Sequence, residues 1–221
     1  MNIEKAPKPY KGLAMEGMIA SWYAKNTRSS LGEFQALARR IAAELPPCAA
    51  VLEIAPGPGY LAIELAKLGA YRVTGLDISH SFVRIASENA AGEGVDIDFQ
   101  HGDAAALPFA GDKFDFIACR AAFKNFSDPV GALREMHRVL KPGGTGLIID
   151  LRNDASSAAI ADEVERMRLG AMSAIATRMT LRFLKKRAYS RGDFARMLVE
   201  TPFGHGDIRA GGIGYEIRLA K

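Results

Sequence analysis

The sequence predicts an α/β fold, a mostly parallel sheet with helices on both faces. Three observations carry that reading. From Val51 to Asp150, short apolar runs alternate with segments of helical periodicity, the pattern of βαβ units. The run Val51-Leu52-Glu53-Ile54-Ala55 passes straight into Pro56-Gly57-Pro58-Gly59 and then into a helix. Successive strands end on polar residues, Asp77, Asp103, Arg120 and Asp150. Right-handed crossovers bring such strand ends to one crevice.

Taken in order, residues 1–30 begin Pro-rich (Pro7, Pro9). Met15, Met18, Ile19, Trp22 and Tyr23 then have the spacing of a short helix lying across the body. Ser30-Leu31-Gly32-Glu33 has capping-box form, and Phe34, Leu37, Ala38, Ile41 and Leu45 continue one apolar face until Pro46-Pro47. After the strand at 51–55, Leu61, Leu65 and Leu68 mark a helix that Gly69 ends. A second strand covers residues 71–76, with Asp77 at its end and Ser79 or Ser81 as cap of the helix to Gly92. Ile97–Gln100 and Phe114–Cys119 read as further strands, and Asp128-Pro129 starts a helix through Leu133, Met136 and Val139. Lys141-Pro142-Gly143-Gly144 reads as a tight turn into a fifth strand, Thr145–Asp150. The alternation then breaks. Ile160, Val164, Met167, Ala171, Ile175, Met179 and Phe183 recur every three or four residues, as in one long helix or a helical pair. Ser190-Arg191-Gly192-Asp193 caps another helix, and residues 205–210 and 213–220 flank Gly211-Gly212 as a hairpin that supplies an antiparallel edge strand. The organisation expected is one domain: an N-terminal helical cap (1–45), a core (46–150), a helical lid (151–188) and a C-terminal helix with a strand pair (189–221).

Composition narrows the class. The hydrophobic fraction is 48% and the charged fraction 24%, as in ordinary globular domains. No apolar run approaches the roughly 18 residues of a membrane span, so stable membrane insertion is not expected. Residues 1–5 lack the pattern of a secretory signal. Cys48 and Cys119 are too few for a disulfide framework or a zinc site, which points to reduced thiols and a cytoplasmic setting. The net charge of +4 allows anionic partners without demanding them. Between Arg178 and Arg191 stand six basic residues and no acidic one; a solvated helix face is the plain account of them.

The glycine turn is the chemical centre. Gly57 and Gly59 let a ligand approach the backbone, and the helix that follows presents unpaired N–H groups. Gly57-Pro58-Gly59-Tyr60-Leu61-Ala62 also fits the dinucleotide-binding form, and Asp77, 18 residues after Gly59, suits a carboxylate on a ribose in either class. Four stretches in register decide between them: residues 51–59, Val73-Thr74-Gly75-Leu76-Asp77-Ile78-Ser79, Gly102-Asp103-Ala104-Ala105-Ala106-Leu107-Pro108-Phe109, and residues 133–144 ending Leu140-Lys141-Pro142-Gly143-Gly144. Together they resemble the class I S-adenosylmethionine-dependent methyltransferases, in particular the small-molecule branch of the ubiquinone/menaquinone-biosynthesis type. The resemblance implies a Rossmann-like, seven-stranded, mostly parallel sheet with an antiparallel last strand and a helical lid. One departure stands out: Ala55 occupies a position where the family usually has glycine.

The resemblance also implies S-adenosyl-L-methionine as cofactor and roles for particular residues. Glu53 faces the cofactor's amino group, with Ala55, Gly57 and Gly59 lining the turn beside it. Asp77, followed by Ile78, accepts both ribose hydroxyls, while Asp103 and the backbone of Ala104 meet the adenine. Arg120 faces the methionine portion or the substrate, and Tyr23 folds over the cofactor beside Trp22. Each has a plainer alternative as a cap, a turn former, a surface residue or core packing. The cofactor carries its own electrophile, so no metal is expected. An acceptor that must lose a proton needs a base, for which His101 and Asp150 are the candidates, with Arg152, Arg120 or Lys124 to orient an anionic group. Met167, Met172 and Met179 belong either to the core, the favoured reading, or to an adaptable acceptor pocket. The acceptor expected is a small molecule, aromatic or acidic, and not a nucleic acid. An NAD(P)-dependent oxidoreductase, a nucleic-acid methyltransferase and a non-catalytic cofactor binder are the competing classes.

Overall fold

The computed structural model describes residues 10–11, 15–69 and 71–221; the Pro-rich stretch with Pro7 and Pro9 lies outside them. Helix α1 (Gly17–Thr27) passes through a 3₁₀ turn (Arg28–Ser30) into α2 (Leu31–Ala42). Then follow β1 (Ala50–Ile54), α3 (Tyr60–Leu68), β2 (Arg72–Asp77), α4 (His80–Gly92), β3 (Asp98–His101) and β4 (Phe114–Arg120). A 3₁₀ turn (Phe123–Asn125), α5 (Pro129–Val139), β5 (Leu140–Leu151), α6 (Ser157–Arg166), α7 (Ala171–Lys185), α8 (Arg191–Val199), β6 (Asp207–Gly211) and β7 (Gly214–Ala220) complete the chain. The seven strands lie in the order β3-β2-β1-β4-β5-β7-β6. β1 to β5 run parallel, and β7 runs antiparallel to both β5 and β6.

Alternation along the strands builds two cores. Val51, Phe116, Ala118 and Leu147 face α2 and α3 through Phe34, Leu37, Ile41, Leu61 and Leu65. Leu52, Ile54, Ile117 and Ile148 face the other way, onto Leu133 and Met136 of α5 and Phe194 and Leu198 of α8. The strand order reverses between β1 and β4, which opens a crevice at their carboxyl ends.

Several local readings need correction. In α1 the inward face is Ala20 and Ala24, small enough for the helix to lie close to α4, whereas Met18, Ile19 and Trp22 are 89%, 45% and 67% exposed. Ser30 makes no side-chain cap, because the 3₁₀ turn runs unbroken into α2 and Leu31 N–H already donates to Arg28 O. Leu68, at the end of α3, is exposed. Lys141-Pro142-Gly143-Gly144 is a bulge within β5: Leu140 pairs with Phe114, and pairing resumes at Thr145 with Phe116. The last strand lies inside the sheet, and β6 forms its edge. The insert after β5 is a helical pair in which Ile160 and Val164 are buried but no residue of α7 is. Met167, Met172 and Met179 are exposed, so they are not core. The caps at Ser79 and Ser190 form as the sequence indicates, the latter as a reciprocal box with Asp193.

Gly59 shows how tightly the turn is built. Its φ is +81°, and a Cβ there would lie 3.0 Å from Ala86 Cβ and 2.9 Å from the Phe99 ring. Backbone strain and overpacking act together. Gly59→Ala is expected to lower stability by about 2 kcal/mol, read as a fall in the denaturant midpoint with an unchanged m-value.

Candidate active site

Glu53 lies on β1 one residue before its end and is 3% exposed. Its carboxylate accepts a hydrogen bond from Ala62 N at 2.9 Å, tying the strand to the first turn of α3. Burial pushes its pKa up to about 8, against the pull of the Ala62 N–H and the Arg120 charge. After β1 the backbone turns left-handed at Ala55 (φ +54°) and Gly57 (φ +55°). Tyr23 of α1 lies over this turn, its ring 3.9 Å from where a Gly57 Cβ would stand.

Asp77 ends β2, 5% exposed. One oxygen accepts from Gly57 N at 3.0 Å and the other from Ser79 N at 2.9 Å. This side chain therefore stitches the glycine turn to the start of α4. Burial raises its pKa to about 6, and the two backbone donors limit the rise. An ionised carboxylate has roughly four acceptor directions, so two remain for a ligand's hydroxyls. Ile78 beside it is half-buried. Asp103 forms the turn after β3, accepting from Ala105 N at 2.9 Å; it is half-buried and Ala104 is buried. Arg120 ends β4, pairs with Glu33 at 2.8 Å and stacks its guanidinium on Phe34 at 4.5 Å.

The two candidate bases lie apart. His101 ends β3, at the edge of the sheet, exposed and stacked on His80 with ring centroids 3.7 Å apart. Its Nε2 lies 3.1 Å from Ile78 O. Three strand spacings, about 14 Å, separate it from β4. Asp150 is 4% exposed and ion-paired with Lys124 Nζ at 2.9 Å; it also accepts from Lys124 N and Leu151 N, both at 2.7 Å. With both oxygens engaged it anchors the 3₁₀ turn after β4. Lys124 also donates to Ala121 O, so this lysine is not free to orient a substrate. Arg152 is likewise engaged, with Gly212 O and Asp154.

Tyr10 is the residue that sequence reasoning missed. Tyr10 bridges to Phe126 and Lys11 N donates to Asn125 O at 2.8 Å, which lays this segment along the turn after β4. Lys11 Nζ continues to the Tyr189 hydroxyl at 3.0 Å. Burial pushes the Tyr10 hydroxyl up to about 12, and the charges of Asp77 and Asp150 add to the rise while Arg187 opposes it. Tyr10 thus lies within charge range of both carboxylates. A lone aromatic beside a Pro-rich stretch gives no periodic signal.

This arrangement suits an S-adenosyl group. A buried carboxyl with a raised pKa awaits a cation, a second offers acceptors to a diol, and a side-chain-free turn lies between them. Comparison with known proteins agrees. Residues 52–148 match the family model described as a methyltransferase domain. The demethylmenaquinone methyltransferase of Deinococcus radiodurans is 34% identical over 167 residues, covering 71% of this chain and 69% of that protein. The ubiquinone/menaquinone biosynthesis C-methyltransferase of Bdellovibrio bacteriovorus is 39% identical over 101 residues, covering 45% of this chain and 43% of that protein. The chain thus spans less than half the length of some of the curated relatives it matches. In fold it is similar to a Methanococcus maripaludis protein assigned to the S-adenosyl-L-methionine-dependent methyltransferases, with a TM-score of 0.68 and 23% identity over 99% of this chain and 96% of that one. With the sheet order and the motif series in place, the chain belongs to the class I S-adenosyl-L-methionine-dependent methyltransferases.

Proposed function

We propose that this chain binds S-adenosyl-L-methionine at the tips of β1, β2 and β4 and transfers its methyl group to a small, ring-bearing acidic acceptor. The carrying observation is the pair Glu53 and Asp77, two buried carboxyl groups on adjacent strands either side of the Gly57 turn. The cofactor, when bound, supplies an electrophilic sulfonium methyl. The chain's own part is positioning, which for well-oriented reactants accounts for roughly 7–11 kcal/mol of a barrier. In this reading Glu53 holds the ammonium, Asp77 the ribose, and Asp103 with Ala104 the adenine edge, while Ala55, Gly57, Gly59 and Ile78 line the path. Tyr23 covers the turn, and Arg120 sets the charge near the methionine end.

Engagement of Asp150 and the edge position of His101 support an acceptor that arrives already ionised, such as a phenolate or enolate. Tyr10 supports the same reading: with a pKa near 12 its hydroxyl stays protonated at neutral pH and donates a hydrogen bond to an acceptor oxygen. The relatives named for ubiquinone and menaquinone biosynthesis fit such an acceptor. Two unpaired cysteines, one exposed and one buried, fit a reducing, cytoplasmic setting. Among the described residues no helix is long and apolar enough to cross a membrane.

The test is formation of S-adenosylhomocysteine from labelled cofactor with a panel of hydroxylated naphthalenes, phenols and RNA. Turnover with the acidic ring compounds is the expected result; turnover with RNA alone, or none together with no cofactor binding, contradicts the reading.

Protons report on Glu53. Because its folded pKa is raised from 4.5 to about 8, its contribution to stability is complete below pH 4.5 and is lost as the pH rises through 8. A bound ammonium favours the ionised form, so binding releases a proton. Affinity for S-adenosylhomocysteine is expected to rise between pH 6 and 8, by up to about tenfold per unit. Glu53→Gln should flatten both dependences and weaken binding by about tenfold or more without lowering the melting temperature.

A further inference from the structure

We infer that α7, together with α1, docks this protein on the surface of an anionic lipid bilayer. The helix has two apolar faces. Ala174, Thr177, Leu181 and Leu184 are the half-buried side that meets the body. On the opposite side Met172, Ile175, Met179 and Phe183 form a stripe at spacings of three and four, 81%, 55%, 66% and 56% exposed. A folded protein does not gain by displaying such a stripe to water.

Charge identifies the partner. Arg178, Arg182 and Lys186 are exposed along one border of the stripe. Residues 166–192 hold eight basic side chains and no acidic one. Apolar side chains bordered by long cations, whose stems lie along apolar surface while their heads stay in water, are the design of an interfacial helix on anionic lipid. A second copy fits poorly, since pairing two α7 helices would bring a segment with eight basic and no acidic side chains against the same positive charge on its mate.

Helix α1 repeats the pattern. Met18, Ile19 and Trp22 point outward beside Lys25, and tryptophan favours the membrane interface. Helix α1 borders the crevice. Tyr23 of α1 covers Gly57, and Arg187, just past α7, lies within charge reach of Tyr10. A lipophilic acceptor would then enter from the bilayer. Docking itself stands apart from the methyl-transfer reading, because it needs neither cofactor nor acceptor.

The experiment is cosedimentation of the full chain with phosphatidylcholine vesicles containing about one-third phosphatidylglycerol, against phosphatidylcholine alone. Expected are binding to the anionic vesicles only, loss of binding at high salt, and a blue shift of Trp22, the one tryptophan in the chain. Met179→Glu/Phe183→Glu and Arg178→Glu/Arg182→Glu should each reduce vesicle binding by about tenfold or more. Their melting temperatures should match the parent's, since the replaced side chains are exposed. A chain left in the supernatant, variants that sediment like the parent, or Trp22 emission unchanged by vesicles overturns the inference. So does a dimer in solution that Met179→Glu/Phe183→Glu disperses, or salt-sensitive RNA binding that this variant leaves intact.

Discussion

Asp77→Asn is expected to weaken binding of S-adenosylhomocysteine by about a hundredfold or more, measured by calorimetry. A carboxylate serves four donors in the proposed complex, Gly57 N, Ser79 N and two ribose hydroxyls. Asparagine has a single acceptor oxygen. Its amide nitrogen must face one of the two backbone N–H groups, which now lie 3.0 and 2.9 Å from the Asp77 oxygens. Each lost hydrogen bond to a charged acceptor is worth roughly 1.5–3 kcal/mol. Stability should move much less, because the substitution also removes a carboxylate whose burial already raises its pKa to about 6. A large loss of affinity with a small change in melting temperature is the signature of a ligand-holding carboxylate. Equal losses in both would make Asp77 a stitch in the turn and no more.

Lys124→Met acts on stability instead. It leaves Asp150, with a side chain 1% exposed, without its ammonium partner. Removing one member of a buried pair costs about 3–5 kcal/mol, since the remaining charge stays desolvated. For a chain of this size the melting temperature should fall by about 10 °C. Circular dichroism melts of the variant and the parent check this. A variant that melts like the parent would show that the pair contributes nothing to the fold.

How far the sequence could be read follows from the physics of each signal. Strands β1 to β5 and their polar ends were legible because a glycine turn, alternation and helical spacing each leave a local trace. Glu53 and Asp77 stand where those traces place them. Helix α7 was legible as a helix but not in its orientation. Ile175, Met179 and Phe183 have the spacing of a buried face, yet Ala174, Thr177, Leu181 and Leu184 take that place. When both sides of a helix are apolar, periodicity does not choose between them. Trp22 misleads in the same way, because the small residues Ala20 and Ala24 let α1 approach more closely. The Lys124–Asp150 pair joins residues 26 positions apart, and Tyr10 reaches the crevice through a single bridge to Phe126. Neither leaves any mark within a short window of sequence.

A crystal structure of the chain soaked with S-adenosylhomocysteine tests the central assignment most directly. The account predicts ribose hydroxyls on the free lone pairs of Asp77 and the amino group within about 3 Å of Glu53, with Tyr23 closing over the Gly57 turn. Adenosine bound elsewhere, or these two carboxyl groups untouched by a ligand present at saturating concentration, would contradict it.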